Sequence, residues 1–237
     1  MKFAILADIH SNLEALQAVL KDSKQQRCTN YAFLGDLVGY CADPKACIDI
    51  VHAMNGPCVK GNHDEYCSTD LLLEGFNPRA AKAVEWTRNQ LMEDDRRWLR
   101  ELDYVLVLED FTITHATLDS PERWGYVFDK SAAASSFAYQ KTQLCFFGHT
   151  HVPVAFVQDK VVRGGTFSTL KVEPGKRYFV NVGAVGQPRD NNPKAAYVTY
   201  AKDKNMIELR RVSYDIETTQ RKMRDAVWHR VEDDVPN

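Results

Sequence analysis

The sequence predicts an α/β fold in which two mixed β-sheets pack together with helices outside. Its first hundred residues alternate short apolar runs with helical patterns, and from about residue 104 strand-type runs dominate. Several apolar runs also end in polar residues, the arrangement found at the carboxyl ends of strands in open sheets. A single mixed sheet is the alternative. The 237 residues are 44% hydrophobic and 26% charged. No repeat, low-complexity tract or linker divides them, so one domain over 1–237 is expected.

Residues 3–7 have the pattern of a buried strand. Ser11-Asn12-Leu13-Glu14 carries the Ser-x-x-Glu capping box and opens a helix whose apolar stripe is Leu13, Leu16, Val19 and Leu20. Tyr31-Ala32-Phe33-Leu34 is a second apolar run, ending at Gly35-Asp36. Asp43 caps the next helix, with Pro44 at its first position. A third strand near Cys58-Val59 leads into Gly61-Asn62-His63-Asp64. Residues 78–101 have a helical pattern with Ala80, Val84, Leu91, Trp98 and Leu102 inward. Glu93-Asp94-Asp95-Arg96-Arg97 is a solvated face or a junction between two helices.

Strands are expected at 104–108, 111–116, 143–147, 153–157, 178–182, 196–200 and 206–213, with one helix at 130–140. Gly164-Gly165 signals a turn between short strands. Residues 215–232 close the chain as an amphipathic helix with Ile216, Met223, Val227 and Val231 on one side.

A formal net charge of −2 gives no support to nucleic acid or an anionic membrane as an obligatory partner. No run approaches the ~20 apolar residues of a spanning helix. The N-terminus passes from Lys2 through Phe3–Ala7 into Asp8 without a signal-peptide pattern, so a cytoplasmic location is expected. The six cysteines (Cys28, Cys41, Cys47, Cys58, Cys67 and Cys145) form no Cys-x-x-Cys pair and suit free thiols. Cys41 and Cys67 lie near Asp36 and His63 in sequence, which leaves a ligand or redox role open for them.

Five segments concentrate metal-ligand types after apolar runs: Asp8-Ile9-His10, Gly35-Asp36, Gly61-Asn62-His63-Asp64, His115 and Gly148-His149-Thr150-His151. They hold five of the seven histidines. Residues two apart on an extended segment share a face, so Asp8 with His10 and His149 with His151 can each converge. Imidazole mixed with carboxylate suits manganese, iron, zinc or cobalt better than calcium. A carboxylate can bridge two such ions ~3.5–4 Å apart. Two divalent ions bring four positive charges, and two aspartates with a hydroxide remove three. The remaining charge attracts a phosphate. Singly, Asp36 also reads as a turn residue and Asn62 as an Asx turn. Together, five such coincidences at strand ends favour a metal centre.

In their order and spacing, these five blocks resemble the calcineurin-like metallophosphoesterases. The stretches Asp8–Leu13, Gly35–Tyr40 and Val182–Arg189 are similar to its bacterial and archaeal phosphodiesterase branch. The resemblance implies a four-layer α/β/β/α sandwich. It also implies two divalent ions, from among Mn, Fe, Zn, Co and Ni. Asp8, His10 and His151 would hold one ion, Asn62, His115 and His149 the other, and Asp36 would bridge them. His63 would act beside the ions as a catalytic group, with Asp64 as a candidate for orienting it.

The implied reaction is attack on phosphorus by a metal-bridging hydroxide. The expected substrate is a small phosphate ester or nucleotide, cleaved as a diester. A phosphomonoesterase or a dinucleoside polyphosphate hydrolase is the near alternative, and a catalytically silent binding scaffold the distant one. Gly39-Tyr40-Cys41 and Lys60 stand where the protein Ser/Thr phosphatase branch carries phosphate-clamping arginines, which argues against that activity. His115-Ala116 replaces the His-Gly of many relatives. Arg123 and Arg189 are candidate substrate contacts. Trp124 and Tyr126 either stack on a substrate base or pack on the core.

Overall fold

A computed structural model describes the backbone of residues 1–228 and the side chains of residues 1–226. Two mixed sheets face each other. The first has strand order β2-β1-β10-β11-β8, formed by Asn30–Phe33, Lys2–Leu6, Ala195–Ala201, Met206–Val212 and Thr169–Lys171. The second has order β3-β4-β5-β9-β6-β7, formed by Val105–Val107, Thr112–Thr114, Leu144–Phe147, Arg177–Asn181, Val154–Gln158 and Val162–Gly165. Helices α1 (Leu13–Gln25), α2 (Pro44–Met54), α3 (Asn62–Ser68), α4 (Pro78–Arg88), α5 (Glu93–Glu101) and α7 (Ile216–Met223) belong to the side of the first sheet, and α6 (Lys130–Tyr139) covers the second.

Side-chain alternation sorts the core into three layers. In β1, Ala4 and Leu6 face the helices, where they meet Leu16, Val19, Ile48 and Leu99. Ile5 and Ala7 point the other way, into the space between the sheets, beside Ile113, Phe146, Val180 and Val198. In β5 the outward residues Cys145 and Phe147 pack under Phe137 of α6, with Phe147 stacked on Phe179 at 4.1 Å. Strands buried on both faces read as unbroken apolar runs, which is why β1 and β5 carry no polar alternation. The result is the four-layer sandwich, and the single-sheet alternative is discarded.

Several boundaries differ from the sequence pattern. The cap of α1 is Asn12, whose Oδ1 accepts from the Ala15 N–H (3.1 Å). Ser11 is held at φ 56° with its N–H on the Leu37 carbonyl, so the expected capping box does not form. Asp43 precedes α2 but makes no side-chain cap; its carboxylate takes Lys222 (2.8 Å) instead. The Cys58-Val59 strand is reduced to single bridges, to Phe33 and to Asp103. The helix expected over 78–101 is broken between Arg88 and Glu93, so the acidic-basic cluster is a helix start. Gly164-Gly165 lies inside β7 and not in a turn; Gly164 pairs with Phe156 across β6–β7, and the Phe156 ring fills the space where a side chain would stand. The closing helix is regular over Ile216–Met223 and passes into a π-helical turn at Arg224–Trp228; the expected inward positions Val227 and Val231 lie outside the described side chains.

All six cysteines are free and buried. Burial pushes Cys28 up to about 11 and Cys41 up to about 12, far from the thiolate form that metal binding or redox chemistry needs. Cys67 is likewise raised well above its usual value. Among the described residues no helix is long and apolar enough to cross a membrane.

Candidate metal centre

The parallel pairs β1–β2 and β4–β5 end at the same edge of the sandwich; four of the five segments leave from those ends, and residues 61–64 follow the Cys58 and Val59 bridges beside β2. Main-chain bonds join the emerging loops: Asp8 N–H to Gly35 O (3.1 Å), His10 N–H to Asp36 O (2.9 Å) and Gly148 N–H to His115 O (2.9 Å). Convergence does not come from extended backbone as expected. Asp8, His10, Asp36, His149 and His151 all have positive φ, between 50° and 68°. Each turns the chain back so that its side chain points into one volume.

Two groups result, Asp8-His10-Asp36-His151 and Asp36-His115-His149, each with all ligand atoms within 4.8 Å. Asp36 belongs to both. Its Oδ2 lies 3.4 Å from His10 Nε2 and 3.4 Å from His115 Nε2, while its Oδ1 accepts from the His63 N–H (2.8 Å). A side chain at Gly61 would collide with that carboxylate, so only glycine lets the α3 turn approach Asp36 this closely.

Main-chain carbonyls decide which imidazole nitrogens are available. His10 Nδ1 donates to Val38 O (3.1 Å), His115 Nδ1 to Leu34 O (2.7 Å) and His151 Nδ1 to Gln187 O (2.6 Å). His149 is reversed, with Nε2 donating to Trp124 O (2.9 Å). The opposite nitrogens therefore direct lone pairs inward, and they meet in pairs: His10 Nε2 with His151 Nε2 at 3.1 Å, and His115 Nε2 with His149 Nδ1 at 3.2 Å. Lone pairs this close repel unless a cation or proton lies between them. Asn62 Oδ1, another buried acceptor with no partner among the described residues, lines the same cleft. The donor set fits two divalent ions, with nitrogen, carboxylate and amide ligands and a carbonyl behind each imidazole.

Protonation follows the same electrostatics. Burial pushes His10 and His151 well below the usual histidine range, and His149 down to about 3. Burial opposes ionisation of Asp36, but His115, His63 and His10 outweigh it and hold its carboxyl low. Burial raises Asp8 to about 8, with His115 opposing the shift and Asp36 adding to it. Burial opposes the charge on His115, yet Asp36 and then Asp8 lift it to about 9. At pH 7 the protein alone therefore carries protons on Asp8 and His115 that cations must displace. Metal added to chelator-stripped protein is expected to release protons at pH 7, and affinity should rise as pH climbs through about 8 to 9. Calorimetry in buffers of different ionisation enthalpy measures this; a heat independent of the buffer contradicts the assignment.

His63 stands apart from both groups. Its ring lies 4.9 Å from His10 and 4.5 Å from Tyr40, its Nδ1 has no partner among the described residues, and burial lowers its pKa. Gly39, at φ 89°, leaves the space that this ring fills. Asp64 does not orient it. The Asp64 carboxylate accepts from Leu37 N–H (2.8 Å), Val38 N–H (3.2 Å) and Gly61 N–H (2.9 Å), and no hydrogen bond joins it to His63 among the described residues. Its place is to tie the Asp36 loop to the α3 turn.

Above the centre opens a cleft of about 420 Å³ whose lining includes Arg123 and Arg189. Arg189 is held by Gln187 Oε1 (2.6 Å) and lies over Tyr40, whereas Arg123 is largely exposed beside Glu122. Sequence patterns missed the four orienting carbonyls, which leave no side-chain signature. They also missed the cleft walls Tyr40, Tyr66, Glu74, Phe76 and Asn77. Trp124 is neither plainly substrate-facing nor plainly core. Its carbonyl fixes His149, and its ring stands edge-on to His115 at 5.8 Å.

Residues 1–204 match the calcineurin-like phosphoesterase superfamily domain. An uncharacterized protein of Methanocaldococcus jannaschii is 34% identical over 229 residues, 93% of this chain and 90% of that one. The crystal structure of a metallophosphoesterase from Sphaerobacter thermophilus is similar with a TM-score of 0.83 at 37% identity, over 95% of this chain and 94% of its own. A hypothetical protein of Pyrococcus horikoshii shares the fold, with a TM-score of 0.76 at 17% identity over 94% and 92%. From its motifs, its sandwich and these relatives, the chain belongs to the calcineurin-like phosphoesterase superfamily.

Proposed function

We propose that this protein is a dinuclear, divalent-metal phosphoesterase that hydrolyses small phosphodiesters, nucleotides among them. The observation that carries the reading is Asp36 Oδ2, equidistant at 3.4 Å from a histidine of each ligand group. Asp8, His10 and His151 would hold one ion and Asn62, His115 and His149 the other, with Asp36 shared. Bound ions of the manganese, iron, zinc, cobalt or nickel type activate water and draw charge from phosphate oxygens.

The chain's own groups do the rest. The carbonyls of Val38, Leu34, Gln187 and Trp124 hold one nitrogen of each imidazole and so aim the opposite, ligand nitrogen inward. His63, tied to Asp36 through its main-chain N–H, presents an imidazole to the cleft, where it can donate to a phosphate or leaving oxygen. Arg189, fixed by Gln187, offers a guanidinium to the remaining phosphate oxygens.

The test is turnover of bis-p-nitrophenyl phosphate beside p-nitrophenyl phosphate with manganese present and metal content measured on the same sample. Faster cleavage of the diester is expected. Faster cleavage of the monoester moves the protein to the phosphomonoesterases. No turnover with any divalent ion, or failure to bind two ions per chain, moves it to the silent scaffolds.

A further inference from the structure

Resting on the phosphoesterase reading above, we infer that the outer half of the cleft is a nucleobase slot, so that the ester reaching the metal centre is a nucleoside ester. At about 420 Å³ the cleft is within the range of small-molecule sites. Its chemistry changes with depth. The floor holds the buried ligand groups, and the lining also includes the exposed Arg189; together they suit one phosphate.

The walls include two aromatic rings that the protein itself holds in place. Phe76 stands edge-to-face on Tyr66 at 4.6 Å and beside His63 at 6.3 Å. Tyr126 stacks on His149 at 4.2 Å and 20° and runs parallel to Phe128 at 5.4 Å and 7°, while 52% of the residue remains exposed. This exposed aromatic stack is not filling a core, and with Phe76 it gives the cleft an aromatic lining suited to a planar ligand.

Next to Phe76 the lining turns polar again, with Glu74 and Asn77. Asn77 Oδ1 is used to cap α4 through the Arg79 N–H (3.0 Å), which leaves its amide N–H groups to donate. Glu74 can only accept. A donor beside an acceptor, next to an aromatic wall, matches the edge of a base that carries both an amino group and a ring nitrogen. On this wall the carboxylate repels a second phosphate. An aliphatic lipid tail offers neither group a partner.

Calorimetry on the metal-loaded protein with AMP, ribose 5-phosphate and phenyl phosphate separates these contributions. AMP is expected to bind about tenfold more tightly than ribose 5-phosphate, the order of one base stacked on an aromatic side chain. It should also exceed phenyl phosphate, which has the ring without the polar edge. Phe76→Leu keeps an apolar contact with Tyr66 and should remove most of the AMP advantage, with ribose 5-phosphate binding and metal content unchanged. Equal binding of AMP and ribose 5-phosphate overturns the slot, and so does phenyl phosphate equal to AMP. Those results leave a diesterase that cleaves the bis-aryl ester intact. Preferential AMP binding by a protein that turns over no ester keeps the slot and removes the enzymatic reading.

Discussion

Asp36→Asn is expected to remove metal and activity together while leaving the fold in place. The substitution is isosteric, and the Oδ1 position still needs an acceptor for the His63 N–H (2.8 Å). The carbonyl of the introduced amide therefore takes that position and its NH2 takes the other. Two N–H donors then face His10 Nε2 and His115 Nε2, each 3.4 Å away, and saturate the lone pairs that would coordinate ions. Loss of one charge from both ligand groups adds to this. Changes in the shell behind metal ligands already cost ~10–100-fold in affinity, so loss of the shared ligand should cost at least about 100-fold. Elemental analysis and the metal-induced rise in Tm report it. A variant that retains two ions with ordinary affinity contradicts the bridging position.

His63→Ala should behave in the opposite way, keeping its metal and losing turnover. Its ring contacts are with His10, Tyr40 and Phe76, and among the described residues no ligand group includes it. Removal of a positioned proton donor typically costs ~10²–10⁴ in rate. A fall of that size in kcat with unchanged metal content and small change in KM is the expected result. Metal loss in this variant shows that His63 is a ligand.

These two contrasting variants rest on residues legible in the sequence, and the limits of that legibility have physical causes. Strands buried on both faces announce themselves by composition, so β1, β2 and β5 were readable and so was the order of ligands at their ends. Asn12 displaced Ser11 as the cap of α1 because a tertiary bond from Ser11 N–H to Leu37 O overrides local capping preference. Adjacency in sequence pairs Asp64 with His63, but its oxygens point to amides of Leu37, Val38 and Gly61. A carboxylate that follows a histidine in a helix lies about 100° around the axis from it, so adjacency argued against contact. The orienting carbonyls and the wall residues Glu74, Phe76 and Asn77 depend on where loops cross, and side-chain pattern does not encode that.

The left-handed backbone at five ligand positions has a consequence for how this protein responds to change. A non-glycine residue in that region costs roughly 1–2 kcal/mol, somewhat less for aspartate, so Asp8, His10, Asp36, His149 and His151 together burden the fold by roughly 5 kcal/mol. That is a sizeable share of the ~5–15 kcal/mol by which domains are stable. Glycine at any of these positions relaxes the chain and abolishes a ligand. A screen that rewards thermal survival without metal will therefore enrich inactive sequences, and directed evolution of this scaffold has to select for turnover from its first round.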